Sequence, residues 1–405
     1  MKIAFLTDGK SPVPATKGGA VENLIEDLLD ENEKSVNMQF DVLGIYEDEA
    51  YKKSKRYSNT RFHFVKNPKI ICLFDKIIYW VAKKILKKTN LISYRYIFQR
   101  LYVMSRYPSI LLREDYDRIV IVTNSTLFFV LKNKRVANKY KDKVIYYLHN
   151  EVRTFFRCEK EVGSIRSLIG VSQFVNREFR KKIPTIKSKQ CYVLKNGIDT
   201  YKFTKNDFEK KFKIKKKLGI QDEDFIIIFA GRLVQEKGAL ETIKAIKKCK
   251  DNDMKLLVVG SGFYSSDIVD NYMIELQKEA EDIKDKIIFT GYIDYEDMPS
   301  IYHIGDVAVL PSMWDEPAGM TMVEAVISGL PLITTNSGGI PEYISCQSAF
   351  ILDRNEKLVD RIAELLIEIK DNYKMKEKAL GGIQSMMKEL NLENYYRRFC
   401  EICKK

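Results

Sequence analysis

The 405-residue sequence has no run of roughly 18 apolar residues, the minimum for a membrane-spanning helix, so none is expected. Its most hydrophobic region, residues 70–86, is broken by Asp75, Lys76, Lys83 and Lys84. The run IAFLT after Met1 and Lys2 is too short for a signal-peptide core and reads better as a first strand. Glycine (20) and proline (10) are too scarce for a fibrous or low-complexity chain. Seven cysteines, an odd number, are scattered at 72, 158, 191, 249, 346, 400 and 403 and match no disulfide framework. Cys400 and Cys403 form a CxxC without the second ligand pair a zinc site would need. The thiols are therefore expected to be structural or incidental, and the compartment reducing and cytoplasmic. No phosphate-binding GxxxxGK[ST] loop occurs. Gly260-Ser261-Gly262 carries Ser265 where the dinucleotide fingerprint G-x-G-x-x-G has its last glycine, which disfavours nicotinamide binding. The pairs Asp222/Asp224 and Asp251/Asp253 sit in hydrophilic connections and read as solvated loops, so no metal site is expected.

What is present is a soluble-globular balance, 45% hydrophobic and 30% charged, with a net charge of +13. The charge is uneven. Residues 1–205 hold 40 basic and 21 acidic side chains, a net of +19, whereas 206–405 hold 28 and 34, a net of −6. The basic balance suggests an anionic partner such as nucleic acid, a membrane surface or a phosphate-bearing substrate.

Short β-branched runs alternate with helical stretches. Strands are predicted at 2–7, 40–45, 61–65, 118–123 and 143–149, then at 226–231, 255–260, 286–291, 307–312 and 331–336. Their continuous apolar character suits parallel strands covered on both faces. Helices are predicted at 19–34, 237–250, 267–282, 319–329 and 356–370. Two such series imply two doubly wound, Rossmann-like α/β domains, with the cleft between them as the default site. The polar, lysine-rich stretch 201–224 reads as the connection, with the division placed at 1–203 and 204–386. The amphipathic tail 387–405, with Tyr395, Phe399 and Ile402 on one face, is expected to pack back onto the first domain.

Residues 76–106 hold eight basic side chains and no acidic one. Ile77, Ile78, Val81 and Ile85 share one helical face, while Lys76, Lys83 and Lys87 cluster on the other beside Trp80. This suits either a membrane-surface helix or an ordinary domain helix with a solvated lysine face.

Four constellations carry chemistry. In PSMWDEPAGMTMVEAVISGLPLITTNSGGIPEYI (311–344), Glu316 precedes a helix starting near Gly319, and Glu324 lies one turn further in. Backbone N–H groups near Gly319, Met320 and Thr321 can bond hydroxyls and phosphate oxygens. Glu316 can accept from sugar hydroxyls and Glu324 from a pair such as ribose hydroxyls. In FAGRLVQEKGALETIKAI (229–246), Arg232 and Lys237 flank the strand-to-helix loop after Gly231, an arrangement that suits a diphosphate. Lys17-Gly18-Gly19-Ala20 opens a helix and offers backbone donors to an anion or hydroxyl. In YYLHNE (146–151), His149 stands at the carboxyl end of a buried strand, where α/β sites gather.

Together with VSQF (171–174), NGID (196–199), FTG (289–291) and the E-x7-E spacing of 316 and 324, these strings resemble the retaining glycosyltransferases of family 4. That family has the GT-B fold, two Rossmann-like doubly wound domains facing across a cleft. The resemblance spans nearly the whole chain and is closer in its second half. It departs at Ala318, where the family usually has an aromatic. It implies that Arg232 and Lys237 hold the donor diphosphate, Glu316 the donor sugar and Glu324 the ribose. Gly319, Met320 and Thr321 would contact sugar and phosphate through their backbone, and His149 would bond the transferring sugar. Gly18 and Gly19 would face the diphosphate and the acceptor.

The resemblance implies a nucleotide-sugar donor, UDP-sugar favoured, with no cofactor and no metal, the two cations and helix ends serving instead. The acceptor is expected to be a saccharide or a polyprenyl-diphosphate-linked saccharide, in bacterial surface polysaccharide or glycolipid synthesis. The basic segment suggests a peripheral position at the inner face of the cell membrane. The competing readings are an epimerase or phosphorylase of the same fold, and a nucleic-acid-binding protein. The last is disfavoured, because no helix-turn-helix, RRM or zinc motif appears.

Overall fold

The computed structural model describes residues 1–16, 19–85, 95–261, 271–372, 374–375, 377 and 380–405. Gly18 lies outside these residues, as do positions 86–94 of the basic segment and Gly262 and Ser265. The chain divides into two compact units, Met1–Gly197 with Leu392–Lys405, and Ile198–Asn391.

The amino-terminal unit is built on a seven-stranded parallel sheet. Its strands are β1 (Lys2–Leu6), β2 (Gln39–Ile45), β3 (Thr60–Val65), β4 (Arg118–Val122), β5 (Val144–Leu148), β6 (Ser167–Gly170) and β7 (Cys191–Val193). They run in the order β3-β2-β1-β4-β5-β6-β7. β1, β4 and β5 are almost wholly buried because helices cover both faces, which is why their sequences read as unbroken apolar runs. Helix Leu392–Lys404 lies against helix Ala20–Ser35. Its Phe399 stacks on Phe5 of β1 at 5.5 Å between ring centres, and Tyr395 and Tyr147 share a hydroxyl contact of 2.7 Å. Cys400 and Cys403 are buried thiols on this helix.

The carboxyl-terminal unit has a six-stranded parallel sheet in the order β10-β9-β8-β11-β12-β13. The strands are β8 (Phe225–Ala230), β9 (Met254–Val259), β10 (Ile287–Gly291), β11 (Val307–Leu310), β12 (Leu332–Thr335) and β13 (Ala349–Leu352). Register pairs Val307 with Ile227 and Ala308 with Leu332, so β11 is clamped between β8 and β12.

Two parallel-sheet α/β units are what the strand–helix alternation predicts. Three strands went unrecognised: β6 (SLIG) is broken by Ser167 and Gly170, and β7 and β13, of three and four residues, are mostly only half-buried, so none reads as an unbroken apolar run. The stretch read as a connection, 201–224, holds two helices, Thr200–Thr204 and Phe208–Leu218, capped by the side chains of Asp199 and Asp207. The first explains why the units part near 197 rather than at 203. Phe203 is fully buried against the rings of Tyr295 and Tyr302, both in the carboxyl-terminal unit. At the other junction, helix Ile383–Leu390 packs on helix Met320–Ile327, which carries residues 387–391 with that unit rather than with the tail.

Candidate functional site

In the carboxyl-terminal sheet the strand order reverses between β8 and β11. Ligands of open α/β sheets bind outside the carboxyl ends of the strands at such a switch point. Two loops leave those ends side by side. The loop after β8 carries Arg232 and Lys237; the loop after β11 carries Glu316.

Gly238 locks the two loops together. It has φ +77°, and an added Cβ would stand 2.1 Å from the Pro311 carbonyl oxygen, so no side chain fits. The Met313 N–H donates to the Glu236 carbonyl at 2.9 Å, a second tie between the loops. The result is a direct contact: Lys237 Nζ donates to Glu316 Oε1 at 2.5 Å. Ser312 Oγ donates to the same oxygen at 2.9 Å, and the Gly339 N–H holds the Glu316 carbonyl at 2.6 Å. The Glu316 side chain is buried, whereas that of Lys237 is 22% exposed. Arg232 is exposed at the start of its loop. Gly231 closes β8, its N–H donating to the Val259 carbonyl at 3.0 Å. Cation and carboxylate thus meet at the carboxyl end of the sheet, where an ammonium can donate to phosphate oxygens and a carboxylate can accept from hydroxyls.

Behind Glu316, helix Met320–Ile327 begins at Gly319, whose φ of +72° is a left-handed value. The backbone N–H groups of the first turn, at Met320 and Thr321, have no acceptor within the helix and carry the positive end of its dipole. Glu324 lies in the second turn, 7% exposed. Its Oε2 accepts from the Tyr302 hydroxyl at 3.0 Å. Burial pushes the Glu324 carboxyl up to about 7, against the partial relief given by Tyr302 and Lys202. Near neutrality it can therefore offer a proton as well as accept one. Tyr302, in helix Met298–Tyr302, and Ser312 escaped the sequence reading, because nothing in their local spacing ties them to the two glutamates.

In the amino-terminal unit, His149 follows β5 and is 6% exposed. Its ring packs on Tyr147 with centres 4.1 Å apart. Neither Nδ1 nor Nε2 has a hydrogen-bond partner among the described residues. Burial pushes its pKa down to about 3, so the imidazole is neutral at pH 7. Two unsatisfied buried nitrogens cost about 1–3 kcal/mol each unless a ligand engages them. Gly19 precedes helix Ala20–Ser35, but the space above it is taken. A Cβ there would stand 1.9 Å from Glu22 Oε2, so the Glu22 carboxylate folds over the helix start. Burial also raises the Glu22 pKa. A carboxylate at this helix end favours hydroxyl donors over an anion.

Among the described residues, no three or more His, Cys, Asp or Glu converge as a metal-binding group. Asp251 and Asp253 are both salt-bridged to Lys370, and Asp222 to Lys215.

Residues 210–380 match the family model described as "Glycosyl transferases group 1". The "Putative glycosyltransferase YtcC" of Bacillus subtilis (strain 168) is 26% identical, over 96% of this chain and 91% of its own. A GDP-mannose-dependent monoacylated alpha-(1-6)-phosphatidylinositol monomannoside mannosyltransferase of Corynebacterium glutamicum is 31% identical, over 53% of this chain and 55% of its own. Among solved structures, Anabaena Alr3699/HepE in complex with UDP superposes with a TM-score of 0.73 at 16% identity, covering 100% of both chains.

Proposed function

We propose that this chain, a hexosyltransferase with the GT-B fold, moves a sugar from a UDP-sugar to a saccharide or lipid-linked saccharide with retention of configuration. The pathway would be assembly of a bacterial surface polysaccharide or glycolipid. The observation that carries this is the Lys237–Glu316 contact at the switch point of the carboxyl-terminal sheet. A bound donor would replace that contact with two others: diphosphate oxygen on Lys237 and sugar hydroxyl on Glu316.

The roles follow from charge. As the sugar–phosphate bond breaks, negative charge gathers on the leaving phosphate and oxocarbenium character on the sugar. Arg232, Lys237 and the N–H groups of Gly319, Met320 and Thr321 stabilise the phosphate. Glu316 accepts from the sugar hydroxyls. Glu324, held by Tyr302, takes the ribose. His149, a neutral imidazole, can both donate to and accept from a hydroxyl of the transferring sugar, while Gly19 faces the acceptor. The acceptor oxygen bonds to the anomeric carbon on the face the phosphate leaves, and its proton passes to the departing phosphate oxygen. No protein base and no metal are assigned. The E-x7-E pair, Glu316 and Glu324, is the basis for placing the chain with the retaining enzymes of family 4. The buried thiols of Cys158, Cys249, Cys400 and Cys403 suit a reducing cytoplasm.

UDP is favoured by the UDP complex of the structural neighbour, which superposes over the whole chain. A GDP-sugar is the second reading, supported by the mannosyltransferase relative. A thermal-shift panel of UDP- and GDP-sugars separates them, since binding raises stability by mass action. Stabilisation by UDP-sugars alone supports the first reading, by GDP-sugars alone the second. No shift with any nucleotide sugar contradicts both.

A further inference from the structure

Helix Lys69–Lys84 wears its apolar side outward. Ile70, Leu73, Phe74, Ile77 and Trp80 are 48–58% exposed, although they share one arc of the helix. At 100° per residue that arc spans roughly 120°. Inward go Asp75 and Ala82, at 2% and 1% exposed. The neighbouring helix Ile97–Arg113 packs against this one, and its exposed Leu101 and Phe98 extend the patch, the Phe98 and Phe74 ring centres lying 6.0 Å apart. Lysines border the patch: Lys69, Lys76 and Lys83 run along one flank and Lys84 stands at its carboxyl-terminal end, all exposed.

The single acid of the region is hidden. Between Glu49 and Glu114 the only carboxylate is Asp75. Its oxygens accept from the Phe98 N–H at 2.9 Å and from the Gln99 N–H and Nε2 at 3.0 Å, capping the second helix. The outward surface is therefore an apolar arc whose bordering charge, along one flank and at one end, is only cationic. Monomeric proteins rarely leave such a patch bare. A second copy of the chain would set lysine against lysine. An anionic bilayer meets both parts: headgroups pair with the lysines and acyl chains take the rings.

We infer that this face inserts into the headgroup layer of an anionic lipid bilayer, with Leu73, Phe74, Ile77 and Trp80 buried at the acyl boundary and Lys69, Lys76, Lys83 and Lys84 on lipid phosphates. The inference rests on the amino-terminal unit alone and not on the sugar-transfer reading, so the two can fail separately.

The test uses the full chain with vesicles of phosphatidylcholine, with and without phosphatidylglycerol. Expected are sedimentation with the anionic vesicles only, and quenching of tryptophan emission by brominated acyl chains that disappears in Trp80→Phe. Each lysine lost at a charged surface weakens binding about fivefold, so a Lys76→Ala/Lys83→Ala/Lys84→Ala variant should bind on the order of a hundredfold more weakly. Leu73→Ser/Phe74→Ser should lose the quenching. These are surface positions, so melting and UDP release without vesicles should stay as in the wild type, which reads out folding. Equal affinity for neutral vesicles, unchanged binding of the triple lysine variant, or no quenching of Trp80 would overturn the inference. So would lipid-free self-association abolished by Phe74→Ser, which would give the face to a second copy.

Discussion

The Lys237 ammonium and the Glu316 carboxylate lie 2.5 Å apart, although 79 residues separate them in sequence. Each stands at the carboxyl end of a different strand, β8 and β11, which neighbour each other in the sheet. The pair neutralises a buried carboxylate. Removing one partner by Lys237→Ala leaves the Glu316 charge uncompensated. Loss of roughly 1–3 kcal/mol is expected, below the range for fully buried pairs because Lys237 is partly exposed. Glu316→Gln/Lys237→Ala should recover part of it. Denaturant melts of the single and double variants check this; equal midpoints for all would mean the contact carries no energy.

Gly238 is the joint that makes the contact possible. Gly238→Ala puts a Cβ 2.1 Å from the Pro311 carbonyl at a φ of +77°. Strain of about 1–3 kcal/mol is expected from the backbone alone. The two loops should separate, so the KM for the donor should rise while the fold of the amino-terminal unit is unchanged. Wild-type KM and stability in Gly238→Ala would show that the loops are not held this way.

Glu324 gives stability a pH dependence of defined sign. Its folded pKa, about 7, lies above the ordinary 4.5, so the folded state binds the extra proton. Stability from this group is full below about pH 4.5 and is lost as pH rises towards 7. Glu324→Gln should flatten that slope and should be more stable than wild type above pH 7, while weakening donor binding. A stability difference between the two proteins that does not change from pH 4 to 8 would rule out a raised Glu324.

His149 works in the opposite sense. Its folded pKa, about 3, lies below the ordinary 6.5, so its contribution is present above about 6.5 and is lost as pH falls towards 3. His149→Phe removes two unsatisfied nitrogens and should cost little stability, or add some, while turnover falls. Nitrogen chemical shifts of the imidazole should remain those of the neutral ring at pH 5. An imidazolium signal there would contradict the buried, neutral placement.

The legible part of this molecule was the part written in contiguous runs. Unbroken apolar stretches such as IIIFA of β8 and VAVL of β11 mark buried parallel strands, and motifs directly after them must fall at the sheet's carboxyl edge. Hence Arg232, Lys237 and Glu316 could be placed on loops, although their contact could not. Tyr302 beside Glu324 was illegible because a tyrosine in a short helix, 22 residues away, has no spacing that links it to a carboxylate. Glu22 over Gly19 was illegible too, since a helix-start glycine does not announce which side chain folds above it. In helix Lys69–Lys84 the periodicity gave an apolar stripe but not its direction. That was decided by Asp75, which turns inward to cap the next helix.

The most direct measurement is release of UDP from a UDP-sugar by the chain, compared with the Arg232→Ala and Lys237→Ala variants by quantifying free UDP over time. If the two cations stabilise the departing diphosphate, turnover in each variant should fall by roughly 10²–10³, the scale for loss of one electrostatic stabiliser. Near-normal turnover in both variants would contradict the assignment of this loop to the phosphate.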